Sequence, residues 1–215
     1  MTKAKLISYS TPSQELADMG ITDAKELVAY CARVSNPSNQ INNETADKLI
    51  AYLIKHKHWS PLEMANACIE IETTRDIARQ ILRHRSFSFQ EFSQRYASVD
   101  VNDFVLREAR MQDHKNRQNS IDSDDAALQE RWEYYQLRVI TAAKEAYKWA
   151  LDQGIAKEQA RVVLPEGLTP SKLYMNGTLR SWVHYIELRS ENGTQKEHRA
   201  VAVACAEAIS KIWPM

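Results

Sequence analysis

Five arginines set the chemical question posed by this chain: Arg83, Arg85, Arg95, Arg161 and Arg189. Arginine stays protonated and serves poorly as a base, but its planar fork clamps phosphate bidentately or stabilises an anionic ring. Three of the five lie in one stretch, where Arg83-His84-Arg85 is followed, after seven intervening residues, by Ser93 and then by Arg95. Arginines joined by His, Ser and Gln suit a ligand with several negative or electron-rich groups: a nucleotide, a dinucleotide cofactor, or both. A basic cluster taken alone is ordinarily solvated surface. Here Ile81, Leu82, Phe87, Phe89 and Phe92 flank it on both sides, and a cationic turn pinned to apolar structure is a place to bind an anion.

Other chemistries lack their residues. There is no Gly-rich phosphate loop of either common pattern, no Gly-x-Ser-x-Gly elbow and no His, Cys or carboxylate set with metal-ligand spacing. The chain has 28 basic and 28 acidic residues, so general electrostatic attraction to nucleic acid or to a membrane surface is not supported. Cys31, Cys68 and Cys205 are widely spaced and odd in number, which points to reduced thiols in a cytoplasmic protein. No run reaches the roughly 18 apolar residues of a membrane span.

The elements that must position these residues follow from periodicity and caps. The stretch from Arg75 to Arg85 reads as an amphipathic helix. Ile77, Ala78, Ile81 and Leu82 share one side, and Gln80, Arg83 and His84 emerge together at the C-terminal end. Phe87 and Phe89 then alternate with Ser86 and Ser88 as in a strand. The parity breaks at Phe92, which predicts a bulge, a turn or loop. Ala65 to Glu72 is the clearest strand, with Ala65, Ala67, Ile69 and Ile71 inward. Helices are expected from Asp23 to Val34, Glu44 to Lys57, Lys157 to Val163, Thr178 to Arg189 and Gln195 to Trp213. A long helix from Ser123 to Gln153 should bury Leu128, Trp132, Tyr135, Val139, Ala143, Ala146 and Ala150. Asn176-Gly177 reads as a turn after a short strand Leu173-Tyr174-Met175, and Gln112 to Asn119 as an exposed, mobile loop. His58, Ser60 and Glu63 gather where Pro61 stops a helix pattern. No repeat or linker divides the chain, so residues 1–215 are read as one domain.

Arg83-His84-Arg85, seven residues, Ser93, one residue, Arg95 resembles the signature of the flavin-dependent thymidylate synthases, the ThyX family. The resemblance extends to Ala32-Arg33-Val34-Ser35, His58-x-Ser60-Pro61-x-Glu63, Ala78-Arg79-Gln80, Ala160 to Pro165, and Arg180-Ser181-Trp182-x-His184-Tyr185-x-x-Leu188-Arg189. It implies an α/β fold with a mixed or antiparallel sheet packed with helices, assembled as a homotetramer whose active sites form between subunits. It implies conversion of dUMP to dTMP, with methylenetetrahydrofolate as carbon donor, FAD as redox cofactor and NADPH as reductant.

By that resemblance Gln80, Arg83, Glu91, Ser93, Gln94, Arg95, Arg161 and Arg189 hold dUMP. Ser35, His58, Ser60, Glu63, Arg83, His84, Arg85, Ser86, Gln90, Glu91, Thr178, Arg180 and His184 bind or border FAD. Arg189 matches the family's activating arginine, which promotes ionisation of the uracil ring, so no enzyme thiolate is required. Two departures stand out: Gln90 replaces a frequent Asn, and Thr178-Leu179-Arg180 replaces a common Asn-x-Arg.

Overall fold

A computed structural model describes residues 2–213. In chain order the elements are β1 (Lys3–Tyr9), α1 (Gln14–Asp18), α2 (Ala24–Ala32), α3 (Ala46–Lys55), β2 (Asn66–Thr74), α4 (Arg75–Ile81), β3 (Ser88–Glu91), β4 (Arg110–Gln112), β5 (Ser120–Asp122), α5 (Ala126–Asp152), α6 (Lys157–Ala160), β6 (Pro170–Thr178), α7 (Leu179–Ser190) and α8 (Lys196–Ile209). Short 3-10 turns at Pro37–Asn39, Ser60–Met64 and Arg161–Val163 link them.

The main sheet is antiparallel, in the order β1-β2-β6-β3. Its centre is the unbroken β2–β6 ladder, from Asn66 opposite Thr178 to Thr74 opposite Pro170. The alternation of β2 decides which face is covered: Ala67, Ile69 and Ile71 are fully buried, as are Leu173 and Met175 of β6. Helices α4, α7 and α8 close over that face and bring in Ile77, Ile81, Trp182, Tyr185, Val201 and Cys205. The opposite face is a polar ladder. Lys172 lies 3.0 Å from Glu72, and the Tyr174 hydroxyl donates to Glu70 at 2.7 Å.

Local chemistry accounts for the element starts. Asp23 caps α2 with a reciprocal capping box to Glu26. The Thr178 side chain accepts from the Ser181 amide at the start of α7. The Asp125 carboxylate, rather than the expected Ser123, accepts from the Leu128 amide to begin α5.

Three expectations are corrected. First, Asn176-Gly177 is not a turn but the end of the nine-residue strand β6. A β-carbon on Gly177 would lie 2.4 Å from Cδ1 of Phe87, so the glycine is there to admit that ring, not to reverse the chain. Second, the polar stretch 112–119, largely exposed as expected, is not an irregular loop but the tip of the β4–β5 hairpin. The Asp113 carboxylate accepts from the amides of Lys115 and Asn116 and from the Asn119 side chain, which holds the turn and lowers its pKa.

Third, α5 turns its Trp132, Tyr135 and Val139 stripe outward, where these residues are 43%, 44% and 50% exposed. The buried stripe is Gln136, Ile140, Ala143, Tyr147 and Ala150. Glutamine wins the inner face because its amide can pair with a neighbouring backbone. Gln136 accepts from the Arg107 amide and donates to the Arg107 carbonyl, both at 2.8 Å. Gln129 does the same for Ala109, at 2.7 and 2.8 Å. The two side chains give the main chain of the irregular segment before β4 hydrogen-bond partners at Arg107 and Ala109.

Candidate active site

Helix α4 ends one turn earlier than its periodicity suggests, at Ile81. The Arg83 and His84 amides then close tight turns onto the carbonyls of Gln80 and Ile81. The turn leaves Arg83 and Arg85 exposed and His84 half-buried. It is held from behind by α7, where the Ser181 hydroxyl donates to the Ser86 carbonyl at 3.1 Å. Phe87 packs edge-to-face on Trp182, with ring centroids 4.9 Å apart. The parity break after β3 is a turn: the amides of Tyr96 and Ala97 both bond to the Ser93 carbonyl.

The sequence-predicted residues fall into three groups. The first surrounds Glu91, whose carboxylate accepts from the Ser171 hydroxyl at 2.9 Å and lies 3.7 Å from both Arg75 and Arg79. Gln94 is buried, and its side-chain nitrogen has no hydrogen-bond partner among the described residues. Arg95 pairs loosely with Glu158 at 3.4 Å. Arg161 sits one turn beyond that glutamate, its Nε donating to the Glu158 carbonyl. Ser93 and Gln90 are exposed beside them.

The second group centres on Arg189. Its Nε donates to Nε2 of His84 at 2.9 Å, joining the last turn of α7 to the Arg-His-Arg turn. Among the described residues no carboxylate pairs with Arg189. Burial, reinforced by the Arg189 and Arg83 charges, pushes the His84 imidazole down to about 4. His84 therefore accepts while Arg189 keeps the charge.

The third group lies at the other end of α7. Arg180 binds Glu63, and His184, one turn further along the same face, meets Trp59 edge-to-face at 4.4 Å. Ser60 opens the adjoining 3-10 turn, and His58 is exposed just before it. Thr178 to Arg180 form the passage from β6 into the capped α7. Ser35 is exposed in the turn after α2. Buried Arg33 donates to Thr45 at 2.8 Å and anchors that turn.

Sequence reasoning missed a partly buried polar string behind Gln80. Gln80 donates to Gln195 at 2.7 Å, and its carbonyl oxygen meets Nδ1 of His198 at 3.2 Å. Nε2 of His198 meets the Tyr185 hydroxyl at 3.1 Å, and Gln195 donates to Glu197 at 3.0 Å. The only available signal was a His and a Glu at the start of an Ala- and Val-rich helix, which reads as ordinary polar surface. Burial, with the charge of Arg189, pushes His198 down to about 3.

Both imidazoles have folded pKa values below the ordinary 6.5. Between those values and 6.5 the unfolded chain binds protons that the folded one refuses. Their contribution to stability is complete above about pH 6.5 and lost as pH falls towards 4 and then 3. Glu197 is held at about 2, because its bonds to Arg110 and the Arg107 charge outweigh a burial effect that acts to raise it. It begins to titrate only below the ordinary 4.5. Denaturant unfolding midpoints should therefore decline between pH 6.5 and 4.5, and His198→Asn should flatten that slope. An unchanged slope in the variant would contradict a neutral, buried His198.

The comparisons bear on what this arrangement is. The family model described as "Thymidylate synthase complementing protein" matches residues 15–215. The probable flavin-dependent thymidylate synthase of Paramecium bursaria Chlorella virus 1 is 54% identical over 211 residues, covering 98% of this chain and 95% of the relative. The chain belongs to the flavin-dependent thymidylate synthase family. A second member, from Synechocystis sp. (strain ATCC 27184 / PCC 6803 / Kazusa), is 48% identical over 188 residues, covering 87% of this chain and 85% of its own. Among solved structures, the UMP/dUMP methylase PolB from Streptomyces cacaoi, bound with 5-Br dUMP, superposes with a TM-score of 0.82 at 27% identity. That match covers 100% of this chain and 92% of PolB. The antiparallel sheet with helices on one face is thus the fold of this family. Among the described residues, no helix is long and apolar enough to cross a membrane.

Proposed function

We propose that this family member converts dUMP to dTMP with methylenetetrahydrofolate as carbon donor, FAD as redox cofactor and NADPH as reductant. The reading rests above all on the 2.9 Å bond from Arg189 to His84, which brings the proposed activating arginine onto the Arg-His-Arg turn within one chain. With His84 and His198 both held neutral, Arg189 is the fixed cation of this group. A guanidinium placed against the uracil ring stabilises its anion and raises the nucleophilicity of the ring carbon. Gln80, Arg83, Ser93, Gln94, Arg95 and Arg161 then hold the rest of dUMP, and Glu91 organises the arginines around it.

The thiols support a route without a cysteine nucleophile. Burial raises the pKa of Cys31, Cys68 and Cys205, the opposite of what an attacking thiolate needs.

The donor set fits a flavin dinucleotide. Arg83, Arg85 and Arg180 supply cations for a pyrophosphate, Ser60 and Ser86 supply hydroxyls, and the Trp59–His184 pair supplies flat rings. Ser35, His58, Glu63, His84, Gln90 and Thr178 complete that side. When bound, FAD provides the redox chemistry; the chain's own residues orient the ligands and fix charge.

We also infer a homotetramer acting in the cytoplasm, with residues 1–215 as one domain. The exposed Trp132, Tyr135 and Val139 stripe of α5 offers the kind of apolar face that a partner subunit covers.

Purified protein should be yellow, and its flavin absorbance should bleach anaerobically on addition of NADPH. Colourless protein that takes up no added FAD would sink the reading.

A further inference from the structure

We propose that Glu197, outside the nucleotide site, is a positioning residue that sets the direction of a partly buried hydrogen-bond chain and so fixes which way the Gln80 amide faces. The inference rests on the dUMP reading above, which places Gln80 against the nucleotide.

The chain runs through five side chains, and each link forces the next. An ionised carboxylate only accepts, so Gln195 turns its NH2 to Glu197, at 3.0 Å, and its oxygen to Gln80. Gln80 must then donate through Nε2, at 2.7 Å, which leaves its oxygen facing His198. That oxygen needs a donor, so Nδ1 of His198 carries the proton, at 3.2 Å. Nε2 is left bare and accepts the Tyr185 hydroxyl, at 3.1 Å. Every donor in the string points towards Glu197. The opposite order would set a carboxylate against an amide oxygen, or two N–H groups against each other.

The surroundings keep the string in this state. Arg110 contacts Glu197 at 2.6 Å and Arg107 at 2.9 Å, on a carboxylate side chain only 20% exposed. Their charge holds Glu197 ionised down to about 2. His198 is fully buried and stays neutral, and burial raises the Tyr185 pKa, so its hydroxyl remains a donor. Gln80 sits at the middle of the string and is half-buried. Its orientation determines whether an incoming ligand meets the remaining N–H or the remaining lone pair of the oxygen. Freed from the string, an amide can present either end, and a site built for one loses affinity for its ligand.

The test is dUMP affinity and steady-state kinetics on the flavin-loaded holoenzyme, with melting temperature and flavin content as controls for folding. Glu197→Gln can donate as well as accept, so it removes the directional signal with little change of shape. It should weaken dUMP binding and raise KM for dUMP by about tenfold, with kcat at saturation changed far less. His198→Leu, which breaks the string at Gln80, should do the same. His198→Asn keeps an N–H donor near the Nδ1 position and should recover most of the loss. The His198 pair carries the comparison if Glu197→Gln does not fold. Unchanged dUMP affinity in folded Glu197→Gln would overturn the inference, as would equal losses in His198→Asn and His198→Leu, which would mark His198 as packing alone. A wild-type holoenzyme that does not bind dUMP would overturn the functional reading and this inference with it; wild-type binding with unaffected variants overturns the inference alone.

Discussion

Alanine at position 189 is expected to remove most dTMP formation while leaving the fold and flavin content intact. Arg189 lies half-buried in the last turn of α7, and its Nε is committed to His84. Removing a charge aimed at a developing anion costs on the order of 10²–10³ in kcat. The loss should fall on turnover more than on dUMP affinity, because Arg83, Arg95 and Arg161 remain. Arg189→Lys should recover little. An ammonium restores the charge but not the planar fork that can bond His84 and a ring at once. His84 should also change: without the adjacent guanidinium its pKa should rise from about 4 towards the ordinary 6.5. Single-turnover formation of dTMP is the measurement, and a rate within about threefold of wild type would remove Arg189 from its assigned role.

Gly177→Ala should be the most damaging single-methyl change in the sheet. The new carbon would stand 2.4 Å from Cδ1 and 2.7 Å from Cε1 of Phe87. That ring has little freedom to retreat, packed at 4.9 Å against Trp182 and 5.9 Å against Tyr185. Trp182 is itself fixed by donating to the Ala67 carbonyl at 3.0 Å. Overpacking of this kind costs about 1–3 kcal/mol, and for a chain of this size each kcal/mol lowers the melting temperature by about 2–4 °C. The displaced ring begins the segment that runs through β3 to Ser93 and Arg95, so dUMP affinity should fall as well. Phe87→Leu in the Gly177→Ala background should recover stability, and a double-mutant cycle measures that coupling. Additive effects, or an unshifted melting temperature in Gly177→Ala, would show that the contact is not tight.

That glycine also shows where sequence reasoning stopped. Asn-Gly is a strong turn signal, and nothing local reveals that the ring of Phe87, far earlier in the chain, occupies the space a side chain at 177 would need. The same limit applies to α5. Trp132, Tyr135 and Val139 follow helical spacing as well as Gln136, Ile140 and Tyr147 do, and both runs share Ala143 and Ala150, which are buried as expected. Periodicity finds an apolar stripe but cannot choose between two of them when the winning face is selected by glutamine hydrogen bonds. By contrast, β2 was legible because strict alternation over a buried face leaves one register. The capped start of α7 was legible because Thr178 meets the Ser181 amide locally. In the site, the Arg-His-Arg turn and its phenylalanines could be read from chain order. The string from Tyr185 to Glu197 could not, since its members become neighbours only when α4, α7 and α8 pack together.

The two glutamines of α5 carry a further consequence. A primary amide has the same donor and acceptor pair as a peptide group, so Gln129 and Gln136 meet Ala109 and Arg107 as a neighbouring strand would. The helix thereby recognises this segment by its main chain and takes no account of which side chains it bears. Residues at 107 and 109 are released to serve other neighbours, as Arg107 does by reaching Asp76 and Glu197. Positions 129 and 136 have no such latitude: a carboxylate there would lack the donor, and a hydrocarbon both halves of the pair.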